Sequence, residues 1–158
     1  MKISAFMTPD DVIVGLSANS KKQVLEDLVR DASASLEGLD DRVVLDQLLE
    51  RERLGCTGIG DGIAIPHTRC ALPAGTTMPV VRLAVLDRAI DFEANDNIDV
   101  DIVFLMLAPE GSGGEHLAAL ALVSRLMRQE GCAERIRQAR DGSELWSILN
   151  SENVSNAA

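Results

Sequence analysis

His67 and His116 are the only imidazoles in this chain, and each stands among residues that suit phosphoryl chemistry. His67 follows Thr57-Gly58-Ile59-Gly60-Asp61-Gly62-Ile63-Ala64-Ile65-Pro66. In that stretch glycines at every second position loosen the backbone, a short apolar run gives an extended segment, and Pro66 fixes φ directly before the ring. Arg69 lies two residues beyond His67, and Arg51 and Arg53 lie a little upstream. Guanidinium groups beside an imidazole fit a phosphoryl group better than a cation, because their donors match its oxygens. A neutral imidazole has the free lone pair that attack on phosphorus requires, and with an ordinary pKa of about 6.5 most histidines are neutral near pH 7. The added negative charge would then call on Arg51, Arg69, His116 and backbone amides of the glycine-rich segment, Gly60 and Gly62 among them. His116 falls in the first turn of a predicted helix, directly after Gly113-Gly114-Glu115, where unsatisfied amides attract anions.

Other site chemistries fit less well. The third glycine comes one place too early for a dinucleotide fingerprint, and no Gly-Lys-Ser/Thr follows to make a nucleotide P-loop. Cys56, His67 and Cys70 match no common zinc spacing and lack an evident fourth ligand unless His116 is recruited, so neither a metal nor a cofactor is expected. Asp61 reads as a solvent-facing turn residue, and Arg53 as a solvated helix end.

These motifs carry a resemblance. Arg51-Glu-Arg-Leu-Gly-Cys-Thr-Gly-Ile-Gly-Asp-Gly-Ile-Ala-Ile-Pro-His67-Thr-Arg69 resembles the active-site segment of the fructose/mannitol class of phosphotransferase-system IIA proteins, above all its nitrogen-regulatory branch. His116-Leu-Ala-Ala-Leu-Ala-Leu-Val-Ser-Arg-Leu-Met resembles that family's second histidine motif. The resemblance spans roughly residues 1–149. It implies a small mixed β-sheet flanked by helices, with His67 as the phosphoryl acceptor through Nε2, His116 in a supporting role and Arg51 as the family's stabilising arginine. It also implies a phosphohistidine carrier rather than a stand-alone turnover enzyme. The donor would be an HPr-type phosphocarrier protein, charged ultimately from phosphoenolpyruvate. The outlet would be regulatory protein targets, or a IIB domain if the chain serves sugar transport.

Composition narrows the partners independently. The 158 residues carry 15 basic and 25 acidic side chains, a net charge of −10, which repels nucleic-acid backbones and anionic membranes. With no tyrosine, one tryptophan and three phenylalanines, there are few platforms for stacking bases. The N-terminus lacks the apolar run of a secretory signal and no stretch is long enough to span a membrane, so a cytoplasmic protein is expected. Three cysteines without CxxC spacing argue for reduced thiols.

The elements that must hold the two histidines follow from periodicity. Val12 to Leu16 reads as a short strand. Ser20 with Gln23 forms a capping box for a helix over Lys21 to Leu36, and Gly38 stops it. Asp40 or Asp41 caps a second helix, with Val44, Leu45, Leu48 and Leu49 inward and an end near Gly55. Pro79 to Leu86 reads as a strand, and Asp87 to Asn97 as polar turn with a short edge strand at Ile90-Asp91-Phe92. Val100 to Leu107 is nearly continuous apolar sequence, as in a strand covered on both faces. The helix beginning near Glu115 is expected to bury Leu117, Leu120, Ala121, Ser124 and Met127, with Arg125 and Arg128 opposite. A helix over Cys132 to Ala139, a cap at Asp141-Gly142-Ser143 and a short helix over Glu144 to Leu149 complete residues 1–150, read as one domain, with 151–158 as a frayed tail. Interleaved helices and strands without a linker predict an α/β fold with helices on both faces of the sheet.

Overall fold

The apolar stretch from Val100 onward forms strand β6 (Val100–Pro109), the centre of a sheet with helices layered on both faces in the computed structural model, which describes residues 1–151. In chain order the strands and α-helices are β1 (Val12–Leu16), α1 (Lys21–Ser35), α2 (Asp41–Arg53), β2 (Gly58–Gly60), β3 (Ile63–Ala64), β4 (His67–Cys70), β5 (Val80–Ile90), β6, α3 (Gly114–Arg128), α4 (Cys132–Arg137) and α5 (Gly142–Ser151). The sheet is mixed. β1 pairs parallel with β5, β5 antiparallel with β6, and the far side of β6 takes β3 and β4 in succession, both parallel; β2 closes a hairpin on β3.

Alternation along β6 divides the core. Ile102, Phe104 and Met106 face α3, α4 and α5, packing with Ala119, Leu122, Val123, Leu126, Ile136 and Leu145. Val103, Leu105 and Leu107 face α1 and α2, packing with Val24, Leu28, Val29, Val44 and Leu48. All six of these strand residues are fully buried. Because successive side chains point to opposite faces, a strand with both sets apolar must be covered twice, and the expected α/β layering with helices on both faces follows.

Local signals set the helix starts. Ser20 accepts from Gln23 N–H at the start of α1, while the Gln23 side chain accepts from Asn19 N–H at 2.9 Å, one residue earlier than a strict capping box. Asp40 accepts from Val43 N–H to start α2, and Asp141 accepts from Glu144 N–H to start α5. The α1 stripe, Val24, Leu25, Leu28, Val29 and Ala32, is buried as its spacing implies.

Several expectations are corrected. β5 runs on to Ile90, which pairs with Val100 across a register shift, so Asp87 and Arg88 are the exposed part of a long strand rather than a turn. Phe92 lies beyond the strand and is fully buried. In α3 the buried face is His116, Ala119, Leu122, Val123, Leu126 and Met127, while Leu117 is 62% exposed and Ala121 is also exposed. That helix is apolar on most of its circumference from Leu117 to Val123, so periodicity leaves its rotational phase open. In α2, Val44 and Leu48 are buried, whereas Leu45 and Leu49 are only half-buried. α4 ends at Arg137 rather than Ala139. Of the expected C-terminal tail, Ser151 closes α5, and the rest lies outside the described residues.

One ionised group is built into the packing. Arg82 on β5 is 6% exposed and meets Asp31 at 2.9 Å, Asp11 at 2.8 Å and the Ser35 hydroxyl at 2.6 Å, so its donors are satisfied where an unpaired charge would be strongly destabilising.

Truncating the α1/α2 side of β6 tests this layering. Leu105→Ala is expected to lower the unfolding free energy by about 2–5 kcal/mol, read from urea denaturation, because the double layer leaves little room for the cavity to collapse.

Candidate functional site

Pro66 sits between β3 and β4 and has no N–H to offer β6, although its carbonyl accepts from Met106 N–H at 2.9 Å. The parallel pairing resumes one residue later, with His67 opposite Met106, so the histidine is the first residue of a strand anchored in the sheet. Its ring is half-buried, and Nδ1 lies 2.7 Å from the Ile65 carbonyl oxygen. A carbonyl only accepts, so the bond assigns the proton to Nδ1 and leaves Nε2 with the lone pair. Burial, followed by Arg51 and Arg69, holds the His67 pKa below the ordinary histidine value against the opposing pull of the Ile65 carbonyl and Glu52. The ring is therefore neutral near pH 7.

His116 approaches from α3, where the inward phase of the helix carries it under the sheet edge. It is 4% exposed, and its ring centroid is 5.6 Å from that of His67 at an interplanar angle of 54°. Burial lowers its pKa to about 4, with His67 and Arg69 adding to the shift. Its Nδ1 is buried without a hydrogen-bond partner among the described residues.

Two guanidinium groups border the pair. Arg51, in the last turn of α2, donates to the carbonyl of Gly55, just beyond the helix, at 2.9 Å, which holds the cation near His67. Arg69, two residues along β4 and therefore on the same face as His67, donates from Nε to the Ser112 carbonyl at 3.0 Å. That bond ties the strand to the loop preceding α3. Arg51, His67, Thr68, Arg69, His116, Leu117 and Leu120 line an open depression of about 340 Å³. An unprotonated ring nitrogen on a residue lining this depression, among two guanidinium groups and a second neutral imidazole, can attack phosphorus and hold the resulting charge.

Of the residues singled out in the sequence, His67, His116, Arg51 and Arg69 are brought together. Gly60 and Gly62 are not. They flank Asp61 at the β2–β3 turn, all three with positive φ, and Gly62 accepts from Asp101 and Ile102 amides. Ile63 pairs with Ile102 while His67 pairs with Met106, so the two pairings are four residue steps apart along β6, roughly 13 Å. A Cβ at Gly62 would come within 2.7 Å of Arg137 Nη2, so glycine there admits the Arg137 clamp on Asp101 rather than an anion. Asp61 keeps its turn role, and Arg53 pairs with Glu50 on the surface at 2.6 Å.

Cys56 bonds weakly to the Phe92 carbonyl, and Cys70 is buried with its pKa raised to about 11, mainly by burial and then by Glu110. Among the described residues no group of three or more His, Cys, Asp or Glu side chains is placed to hold a metal ion. Glu52 and Thr57 escaped sequence reasoning, although both are buried beside the site. A signal was present: Glu52 stands four residues after Leu48, so it continues the inward stripe of α2.

Known proteins resemble this chain in sequence and in fold. Residues 5–152 match the family described as "Phosphoenolpyruvate-dependent sugar phosphotransferase system, EIIA 2". A nitrogen regulatory protein of Bradyrhizobium diazoefficiens is 44% identical over 149 residues, covering 94% of this chain and 95% of that one. The crystal structure of nitrogen regulatory protein IIA-Ntr from Neisseria meningitidis superposes with a TM-score of 0.82 at 28% identity, over 93% of this chain and 98% of that one. The mannitol IIA of Escherichia coli, solved in complex with phosphorylated mannitol IIB, shares the fold with a TM-score of 0.71 at 17% identity, over 92% and 98% of the two chains.

The depressed pKa of His116 makes stability depend on pH. Above the unfolded value of about 6.5 both states are neutral; below it the unfolded chain takes up a proton that the folded ring refuses until about pH 4. Stability attributable to this group should therefore fall between those limits by on the order of 3 kcal/mol. Urea unfolding of wild type and His116→Gln across that range measures it, and the variant should lose less stability on acidification.

Proposed function

The chain belongs to the EIIA type 2 family of the phosphoenolpyruvate-dependent sugar phosphotransferase system, and on that footing we propose that it is a regulatory phosphoryl carrier of the nitrogen type, with His67 as the acceptor. Nε2 of His67 attacks the phosphorus of a phosphohistidine on an HPr-type carrier protein. The new N–P bond forms as the donor's N–P bond breaks, and the donor imidazole leaves with that electron pair. The proton stays on Nδ1, hydrogen-bonded to the Ile65 carbonyl throughout, so no base is needed. Arg51 and Arg69 supply donors to the transferring oxygens, where charge-assisted bonds are stronger than neutral ones. His116 supports the phosphoryl group as a neutral ring.

The observation that carries this reading is the 2.7 Å contact between His67 Nδ1 and the Ile65 carbonyl, which leaves Nε2 as the nucleophilic nitrogen beside Arg51, Arg69 and His116. The rim favours a protein partner. Leu117 is 62% exposed on the lining of the depression, an apolar side chain beside the histidine that a docking surface would cover. The nitrogen-branch identity of the carrier, the regulatory protein targets and a cytoplasmic location belong to the same proposal. It is consistent with a net charge of −10 and with the absence, among the described residues, of a helix long and apolar enough to cross a membrane. Service as a sugar-transport component donating to a IIB domain is the second reading, suggested by the fold shared with the mannitol IIA–IIB complex. The high-coverage relative at 44% identity is a nitrogen regulatory protein, which favours the first.

Intact mass after incubation with phosphoenolpyruvate, the general phosphotransferase enzyme and an HPr-type carrier tests the assignment. Wild type should gain one acid-labile phosphate and His67→Ala none. His116→Ala should be slow or yield an unstable product, and Arg51→Gln should be slower by about 10- to 100-fold. Absence of phosphate on wild type with a competent donor would overturn phosphoryl transfer.

A further inference from the structure

The backbone that presents His67 is not held by the sheet alone. Ile65 directs its N–H to the Thr57 carbonyl at 3.0 Å, away from β6, and its own carbonyl is the acceptor for His67 Nδ1. Thr57 is in turn fixed by Glu52. The Thr57 hydroxyl donates to Glu52 Oε2 at 2.5 Å and its N–H to Oε1 at 3.3 Å, both bonds buried. Oε1 also meets Lys21 Nζ at 2.8 Å, with side-chain exposures of 15% and 4% for the lysine and glutamate. Lys21 is located by the Phe92 carbonyl at 3.3 Å and by the Phe92 ring, whose centroid lies 4.7 Å away. A continuous run of hydrogen bonds thus leads from the first turn of α1 through the last turn of α2 to the imidazole.

We infer that Glu52 and Thr57 are positioning residues for His67: they hold the Ile65 carbonyl where it selects the Nδ1-protonated tautomer and orients Nε2. This rests on His67 being the phosphoryl acceptor. Two physical points support it. Proline at position 66 removes the ladder donor that would otherwise help to fix this turn, so the constraint must come from the other edge, where Thr57 lies. A buried carboxylate with a cation and two donors is also rigid, since leaving any of its bonds unmade in a low-dielectric site is costly. Glu52 and Arg51 are adjacent in sequence and divide the work: the arginine faces the depression and the glutamate faces inward to the turn. Neither Glu52 nor Thr57 lines that depression; the hydrogen-bonded route from them to the ring runs through Ile65, while the Glu52 charge also acts on His67 at a distance.

The test reads the ring before any chemistry. Long-range proton–nitrogen correlation NMR on the unphosphorylated protein, at a pH where both histidines are neutral, gives the His67 tautomer directly. Wild type should show the Nδ1-protonated form. Thr57→Val, which keeps shape but removes the hydroxyl, and Glu52→Gln, which keeps size but removes the charge, should each show mixed tautomers. Each should also accept phosphate about 10- to 100-fold more slowly. Thr57→Ser should restore both the tautomer and the rate. If Thr57→Val and Glu52→Gln melt at lower temperature yet keep wild-type ring nitrogens and rate, the two residues are structural only and the inference is overturned. Failure of wild type to take phosphate would instead overturn the carrier reading, leaving the tautomer result to judge the positioning role separately.

Discussion

A strand that is apolar on both faces has no side to give to water, and β6 imposes that constraint on everything around it. Ile102, Phe104 and Met106 require α3, α4 and α5 on one face; Val103, Leu105 and Leu107 require α1 and α2 on the other. The site follows from the same demand. His67 joins the edge of β6 opposite Met106, α2 delivers Arg51 from one layer, and α3 delivers His116 from the other. The candidate site therefore lies where the two helical layers meet one end of the central strand, and neither layer alone would assemble it.

Charge is handled differently on either side of that edge. Arg51 and Arg69 satisfy part of their donor capacity on the Gly55 and Ser112 carbonyls and still line an open depression. Behind them, Glu52 and Arg82 are buried, and each is surrounded by opposite charge and hydroxyl groups. Buried ion pairs of this kind are weak sources of net stability but are strongly destabilising when one partner is removed. They act as fixed points. Arg82 joins β5 to α1 and to the turn before β1, and Glu52 joins α1, α2 and the turn that leads to His67.

The neutrality of the two rings has one dominant cause. For both, burial is the largest contribution to the lowered pKa, and Arg69 adds to it in each. The surroundings that would stabilise a phosphoryl group also keep the imidazoles unprotonated, so nucleophilicity and anion binding arise from one arrangement. A ring proton committed to the Ile65 carbonyl completes it, because a neutral imidazole with Nδ1 protonated has its lone pair on Nε2.

Much of this was legible in the residues themselves. Ser20, Asp40 and Asp141 mark helix starts because a cap is a contact of three residues, and β6 is readable as a doubly covered strand because its pattern is local. The chemistry of His67 with Arg51 and Arg69, and the family resemblance of both histidine motifs, also lie in contiguous sequence. Tertiary structure decided the rest. The phase of α3 was open because Leu117 to Val123 are all apolar, and packing against β6 turned His116 inward and left Leu117 outside. Gly60 and Gly62 are near His67 in sequence, but the β2–β3 turn carries them to the other end of the strand, where Arg137 fills the space that a side chain would occupy. The tautomer of His67 and the inward role of Glu52 depend on atoms brought together by folding, and no spacing along the chain encodes those distances.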